Sequence, residues 1–185
     1  MSGLSYEGMV SLRWQPLDAL PAGEDLLQLA GDNERLLQLL PGLESMPESA
    51  HDEEAPPRYM QLLELRLQLL TELLAELLAQ SQPPPPSHRV TLSAESISWE
   101  DEAPPPPGTA LMLELFLHRH LPRPLRLPAV VERIEPAAAG QRVLARLQRL
   151  PEAAAAELDK LIFRQHRRRI ASLRKGSGSR DHGSK

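Results

Sequence analysis

Between His88 and Glu100 (HRVTLSAESISWE), apolar Val90, Leu92, Ile97 and Trp99 alternate with polar Arg89, Thr91, Ser93, Ser96 and Ser98 on either side of Ala94-Glu95. Period-two alternation marks a strand with one buried face, and two such runs around a short turn predict a β-hairpin. A weaker alternation over Glu7–Trp14 predicts a first strand, ended by Gln15-Pro16. Ala110–His118 reads as a strand, and so does Leu125–Glu135 after the Pro122–Pro124 break. Gln141–Leu150 fits strand or helix by pattern alone, and the flanking Gly140 and Pro151 favour a strand. About six strands then fall between residues 8 and 150. Strands outnumber helices over 88–150, which points to an antiparallel sheet or small barrel in an α+β chain. Closure into a barrel removes exposed sheet edges.

Other stretches carry helical spacing. Asp25–Leu40 places Leu26, Leu29, Leu36, Leu37 and Leu40 near one face. Gly31-Asp32-Asn33 interrupts it and offers a fresh N-cap, so two short helices are expected. Glu44–Pro57 is acidic and proline-bearing and reads as a loop. Arg58–Gln80 has no Gly and no Pro and is built from strong helix formers. The prolines at 83–86 end it, because proline has no N–H for the ladder. Pro104–Pro107 with Gly108 forms a second connector, and a closing helix follows over 152–174. The expected plan is one domain over 1–175, with a helical insertion over 24–81, barrel hairpins over 88–150 and the closing helix. The tail 176–185 (GSGSRDHGSK) is expected to be disordered.

The helix over Arg58–Gln80 carries a second message. Met60, Leu63, Leu67, Leu70, Leu74 and Leu77 are spaced alternately by three and four, as in an a/d seam. Leu62, Leu65, Leu69, Leu73 and Leu78 lie outside that seam. A helix that covers only its own domain needs one apolar stripe. The second surface asks for a partner: the same helix of another subunit, or the Asp25–Leu40 segment of its own. Leucine at both a and d does not fix the number of helices, but a wide apolar surface leans above two.

Composition narrows the chemistry. The chain is 41% hydrophobic with 3% aromatic residues, so its core must be aliphatic. Cysteine is absent, which excludes disulfides, thiolate metal sites and cysteine nucleophiles. No apolar run is long enough for a membrane span, and MSGLSYEGMVSLRW lacks signal-peptide regions. A cytoplasmic protein is expected. The net charge of −4 is split: residues 1–108 hold 18 acidic and 5 basic side chains, residues 109–185 hold 7 and 16. Such halves can neutralise each other or meet a polyanion.

Arg164–Lys175 (RQHRRRIASLRK) is the candidate for nucleic acid or anionic lipid. Cations near a helix C-terminus are also favoured by the macrodipole, so nucleic acid stays a secondary reading. His118 and His120 would share a strand face, but no third ligand is placed beside them and no metal is expected. Ser93 has no His/Asp partner pattern, and no acid–base or nucleophile constellation appears; neither catalytic residues nor an enzyme is expected.

The hairpin serines resemble a worn (Asp/Asn)-x-Ser-x-x-Gly, the motif of PilZ domains, bacterial receptors for cyclic di-GMP. Thr91, Ser93 and Ser96 stand at its three positions, and only Ser93 matches. The family also places Arg-x-x-x-Arg just before the hairpin, where guanidinium forks pair with phosphates and stack on guanines. Here SQPPPPSHR supplies Arg89 alone. Arg119–Arg123, Arg142–Arg146 and Arg164–Arg168 have the spacing but follow the hairpin, in different elements.

The heptad helix ahead of the hairpin and the first strand near residue 10 look like the atypical, tetrameric PilZ subgroup, in which an inserted helix assembles four subunits. The resemblance implies a six-stranded antiparallel PilZ-like barrel with inserted N-terminal helices and a C-terminal helix. It implies a homo-oligomer, tetramer favoured, held by Met60, Leu63, Leu67, Leu70, Leu74 and Leu77. Arg89, Thr91, Ser93 and Ser96 are its candidate ligand positions. The implied function is an adaptor in a cyclic di-GMP pathway with weak or no family-type binding of the nucleotide. The alternatives are a cyclic di-GMP receptor with a remodelled site near the hairpin, and a basic-helix, nucleic-acid-associated oligomer. No cofactor is implied beyond cyclic di-GMP as ligand.

Overall fold

The computed structural model describes residues 4–44, 58–81, 85–118, 121, 123–137 and 140–178. In chain order they form β1 (Tyr6–Pro16), α1 (Gly23–Glu44), α2 (Arg58–Ser81), β2 (Ser87–Leu92), β3 (Ser96–Asp101), β4 (Ala110–Phe116), β5 (Leu125–Ala137), β6 (Gly140–Leu147) and α3 (Glu152–Gly178). The six strands close into an antiparallel barrel in the order β1-β2-β3-β6-β5-β4. Closure depends on the long first strand. Tyr6 to Ser11 of β1 pair with β2, and Ser11 to Pro16 pair with β4.

The barrel interior is the alternation read from the sequence. Val90, Leu92, Ile97 and Trp99 of the hairpin are at most 1% exposed. Leu12, Leu111, Leu113, Leu115, Leu125, Leu127 and Val143 complete an aliphatic filling around that single tryptophan. Fully burying each such side chain is worth about 1.5–3 kcal/mol. Outside the barrel, α1 packs against α3 and β5, and α3 packs against β1. Leu36, Leu37 and Leu40 of α1 are buried in the same core as Ala154, Leu158, Leu161 and Ile162 of α3.

Three expectations are corrected. Asp25–Leu40 is not two helices; α1 runs unbroken from Gly23 to Glu44. Asn33 is not a cap but a buried side chain, 2% exposed. Its Nδ2 donates to the Arg126 carbonyl at 2.6 Å, and its Oδ1 accepts from the Arg126 N–H at 3.1 Å. The β6 ladder on β5 reaches no further than Ala129, so the Asn33 amide supplies the partner that a strand would have given. This contact cannot be seen from local pattern, which reads Gly-Asp-Asn as a breaker.

The second correction concerns the last helix: α3 extends to Gly178 and takes in the start of the expected tail. Residues 179–185, and 45–57 of the expected loop, lie outside the described residues. Third, Gln141–Leu150, ambiguous by pattern, is a strand only to Leu147, and β4 stops at Phe116, short of His118. Gly140 opens β6 with φ +112, and a Cβ there would lie 2.8 Å from the Asp101 carbonyl oxygen. Only glycine fits that approach of β6 to the end of β3.

Ion pairs tie the two halves of the chain together within the subunit. Glu114 on β4 is 6% exposed and lies in register between Arg13 of β1 and Arg126 of β5. Arg13 donates through Nε (2.9 Å) and Nη2 (2.6 Å) to Glu114 Oε2, and Arg126 Nε stands 3.5 Å from Oε1. Arg142 pairs with Glu100, and Arg169 with Glu7, again joining the basic half to the acidic half.

Replacing Asn33 with Ala removes the partner of the Arg126 N–H and C=O in a part-buried site. Each unsatisfied group costs about 1–3 kcal/mol. Urea unfolding of Asn33→Ala should show a stability loss in that range, while Asp32→Ala, one residue away, should change little.

Candidate functional site

The hairpin is held by the residue that matched the motif. The Ser93 N–H donates to the Ser96 carbonyl at 2.8 Å, closing the turn. Ser93 Oγ accepts from the Ser96 N–H at 3.0 Å and lies 2.9 Å from Ser96 Oγ. Both hydroxyls are therefore engaged in turn chemistry. Arg89 and Thr91 alternate with buried Val90 and Leu92 and so lie on the outer barrel face. Thr91 sits in register between Glu7 of β1 and Ser98 of β3, and Arg89 is opposite Met9. The structure thus places Arg89, Thr91, Ser93 and Ser96 on one hairpin, but only Arg89 among them carries a charge.

The other cations of this face already have partners. Arg142 and Arg146 of β6 share the outer face, in register with Glu100 and Ser96. Arg142 Nη2 is 3.2 Å from Glu100 Oε1, and Arg146 Nε is 3.0 Å from Glu132 Oε1. Glu132 reaches Arg146 from a β-bulge between Val131 and Arg133. An incoming phosphate would compete with a carboxylate at each arginine. Arg164 and Arg168 lie on α3, not on the hairpin, and Arg119 is outside the described residues. No group of three metal-ligating side chains stands together among the described residues.

Beside the turn, Ala94 and Glu95 face α3 across a cleft of about 690 Å³, bordered also by Leu4, Asp159 and Phe163. Phe163 is 50% exposed, with the Arg167 guanidinium 5.8 Å from its ring centroid.

The leucine helix presents a different surface. On α2, Met60 is 38% exposed, and Leu63, Leu67, Leu70 and Leu74 are 51–59% exposed. Leu62, Leu65, Leu69 and Leu73, outside the seam, are 49–59% exposed. They are not buried under α1. The side chain of Leu77 lies outside the described residues. Contiguous exposed apolar area of this kind marks an interaction surface. No helix among the described residues is long and apolar enough to cross a membrane.

A closed six-stranded barrel with an N-terminal helical insertion, a worn hairpin motif and a closing helix defines a class. The family model described as an atypical PilZ domain, cyclic di-GMP receptor, matches residues 35–175, and the chain belongs to that family. A solved protein from Xanthomonas campestris, described as pathogenic and as a new tetrameric PilZ domain self-assembled via an unusual helical bundle, is similar throughout. Its TM-score is 0.74 at 26% identity, covering 92% of this chain and 91% of that one. A search of the curated proteins finds no significant match.

Sequence reasoning passed over the group that fixes the open end of β3. Asp101 Oδ2 accepts from Trp14 Nε1 at 2.8 Å and from Trp99 Nε1 at 3.2 Å, and Oδ1 accepts from the Ala103 N–H at 3.0 Å. Both tryptophans of the chain thus meet on one carboxylate. Glu100-Asp101-Glu102 reads as a solvated charge run. The signal that distinguishes Asp101 is its place two residues after Trp99, at the end of an alternating strand.

Partial burial opposes the charge of Asp101. The hydrogen bonds from Ala103, Trp14 and Trp99, with the nearby charge of His88, outweigh that and hold its pKa below the usual aspartate value. A depressed pKa stabilises the fold above the unfolded-state value and loses that contribution as pH falls through the folded one. Asp101→Asn should therefore lower the urea midpoint at neutral pH. The difference from the unaltered protein should shrink below about pH 4, with tryptophan emission as the readout.

Proposed function

We propose that this protein is a non-enzymatic PilZ-type signalling adaptor that assembles through α2, its output being contact with other proteins in the cytoplasm. Residues 1–175 act as one domain, in which the insertion over 24–81 is the assembly device. The carrying observation is the half-exposed seam of Met60, Leu63, Leu67, Leu70 and Leu74, which its own subunit leaves uncovered. The similar Xanthomonas campestris protein is described as a tetramer self-assembled via a helical bundle, which supports four helices here. Burying the remaining exposed half of each leucine adds half of the about 1.5–3 kcal/mol of a full side chain, set against the cost of association. The leucines outside the seam widen the apolar surface, as a bundle of more than two helices requires.

Cyclic di-GMP binding of the family type is weak or absent in this reading. A ligand with two phosphates needs unpaired cations, and this face offers Arg89 beside Arg142 and Arg146, both already engaged by carboxylates. The second reading, a receptor with a remodelled site at the hairpin, draws on the family's description as a cyclic di-GMP receptor. It requires Arg142 and Arg146 to exchange Glu100 and Glu132 for phosphate. The basic α3 has an intrasubunit role in the Arg169–Glu7 pair, which weakens the nucleic-acid reading.

Size-exclusion chromatography with light scattering should give the mass of four chains. Leu67→Glu combined with Leu74→Glu should abolish the four-chain mass and give one chain at low concentration, and a monomer for the unaltered protein at high concentration would defeat the proposal. Titration calorimetry with cyclic di-GMP should show no saturable micromolar binding, whereas a clean low-micromolar isotherm would favour the receptor reading.

A further inference from the structure

The outer face of α3 carries a stripe that is its own complement. Ala156, Asp159, Phe163, Arg167 and Ile170 are spaced three, four, four and three residues apart, symmetrically about Phe163. All five are exposed, whereas Ala154, Leu158, Leu161 and Ile162 on the opposite side are buried. These spacings hold the five side chains within one narrow face of the helix. The order is small apolar, acid, aromatic, base, large apolar. Asp159 and Arg167 are eight residues apart, about 12 Å along the axis at 1.5 Å per residue, too far to pair within one helix.

We infer that a second copy of the chain docks here, α3 against α3, antiparallel about a two-fold axis through Phe163. A two-fold interface must be self-complementary, and this order satisfies that requirement at every position. Phe163 meets Phe163, Asp159 meets Arg167 of the second copy twice, and Ala156 leaves room for Ile170. A parallel alignment would set Asp159 on Asp159 and Arg167 on Arg167, so the charges select the direction. The hairpin reinforces the match. Glu95 borders the same cleft as Asp159, so the incoming Arg167 meets two carboxylates. The cation inside the cleft, Lys160, is held by Glu157 at 2.8 Å.

This interface is separate from the α2 seam and smaller than it. A small, partly charged contact gains most when copies are already held together, because tethering raises their effective concentration. It would join chains within an α2 assembly or link one assembly to the next.

The test uses the full chain carrying Leu67→Glu and Leu74→Glu, in sedimentation equilibrium over a wide concentration range. A concentration-dependent dimer is expected. Phe163→Glu, Asp159→Arg alone or Arg167→Asp alone should each weaken it by at least about tenfold, since like charges then face each other. Asp159→Arg with Arg167→Asp should restore it. Circular dichroism establishes that each variant is folded, and the restoring pair excludes a folding defect as the cause. A monomer at every concentration, or a dimer indifferent to the swaps, overturns the inference. If the two glutamates leave the larger assembly intact, the α2 reading fails instead. The same swaps, made in that assembly, still decide whether α3 contributes an interface.

Discussion

The first strand is the constraint on which the rest depends. β1 is paired along its first half with β2 and along its second half with β4, so one strand joins the beginning of the barrel to its middle. A sheet closed in this way has no exposed edge, and its inner face becomes an aliphatic core. That closure lets the chain tolerate a helical insertion between β1 and β2. The insertion leaves the barrel after β1 and returns at Ser87, which Ser11 of β1 meets in register. The ladder, not the inserted segment, fixes where the hairpin lies.

Function follows from what the closed barrel leaves outside. The outer hairpin face has few unpaired cations, because the arginines beside it are neutralised by carboxylates from neighbouring strands. The serine that carries the family signature maintains the turn. Of the three motif positions only Ser93 matches, and its hydroxyl is engaged within the turn. Apolar area, in contrast, is concentrated on α2. The two surfaces thus differ in chemistry, one polar and internally paired, the other apolar and uncovered by the described residues.

The stability of the hairpin and the position of the helices rest on isolated polar contacts within apolar surroundings. Asn33 completes the backbone pairing of β5, Glu114 joins β1 to β5 through two arginines, and Asp101 holds both tryptophans. Each takes at least one partner from a distant part of the chain: Arg126 for Asn33, Arg13 for Glu114 and Trp14 for Asp101. Buried polar groups of this kind specify one arrangement, because any other leaves them unsatisfied.

The strands, α2 and α3 were legible because alternation and helical spacing depend only on which face of an element is apolar. Val90, Leu92, Ile97 and Trp99 announced the hairpin, and Met60 to Leu77 announced an apolar seam. The family resemblance, too, was carried by hairpin serines and by element order. Asn33 was misread because a Gly-Asp-Asn run has the local chemistry of a helix start, and its true partner, Arg126, is 93 residues away. The state of the arginines near the hairpin was only half visible. The absence of an arginine pair before the hairpin stands in the sequence, whereas the capture of Arg142 by Glu100 and of Arg146 by Glu132 needs strand register and a bulge. By itself the sequence determined the strands, the inward face of the hairpin and the surplus of leucine on one helix, since these follow from local period and propensity. Only the tertiary structure decided which polar groups meet, because their pairing is set by closure of the barrel across long separations in the chain.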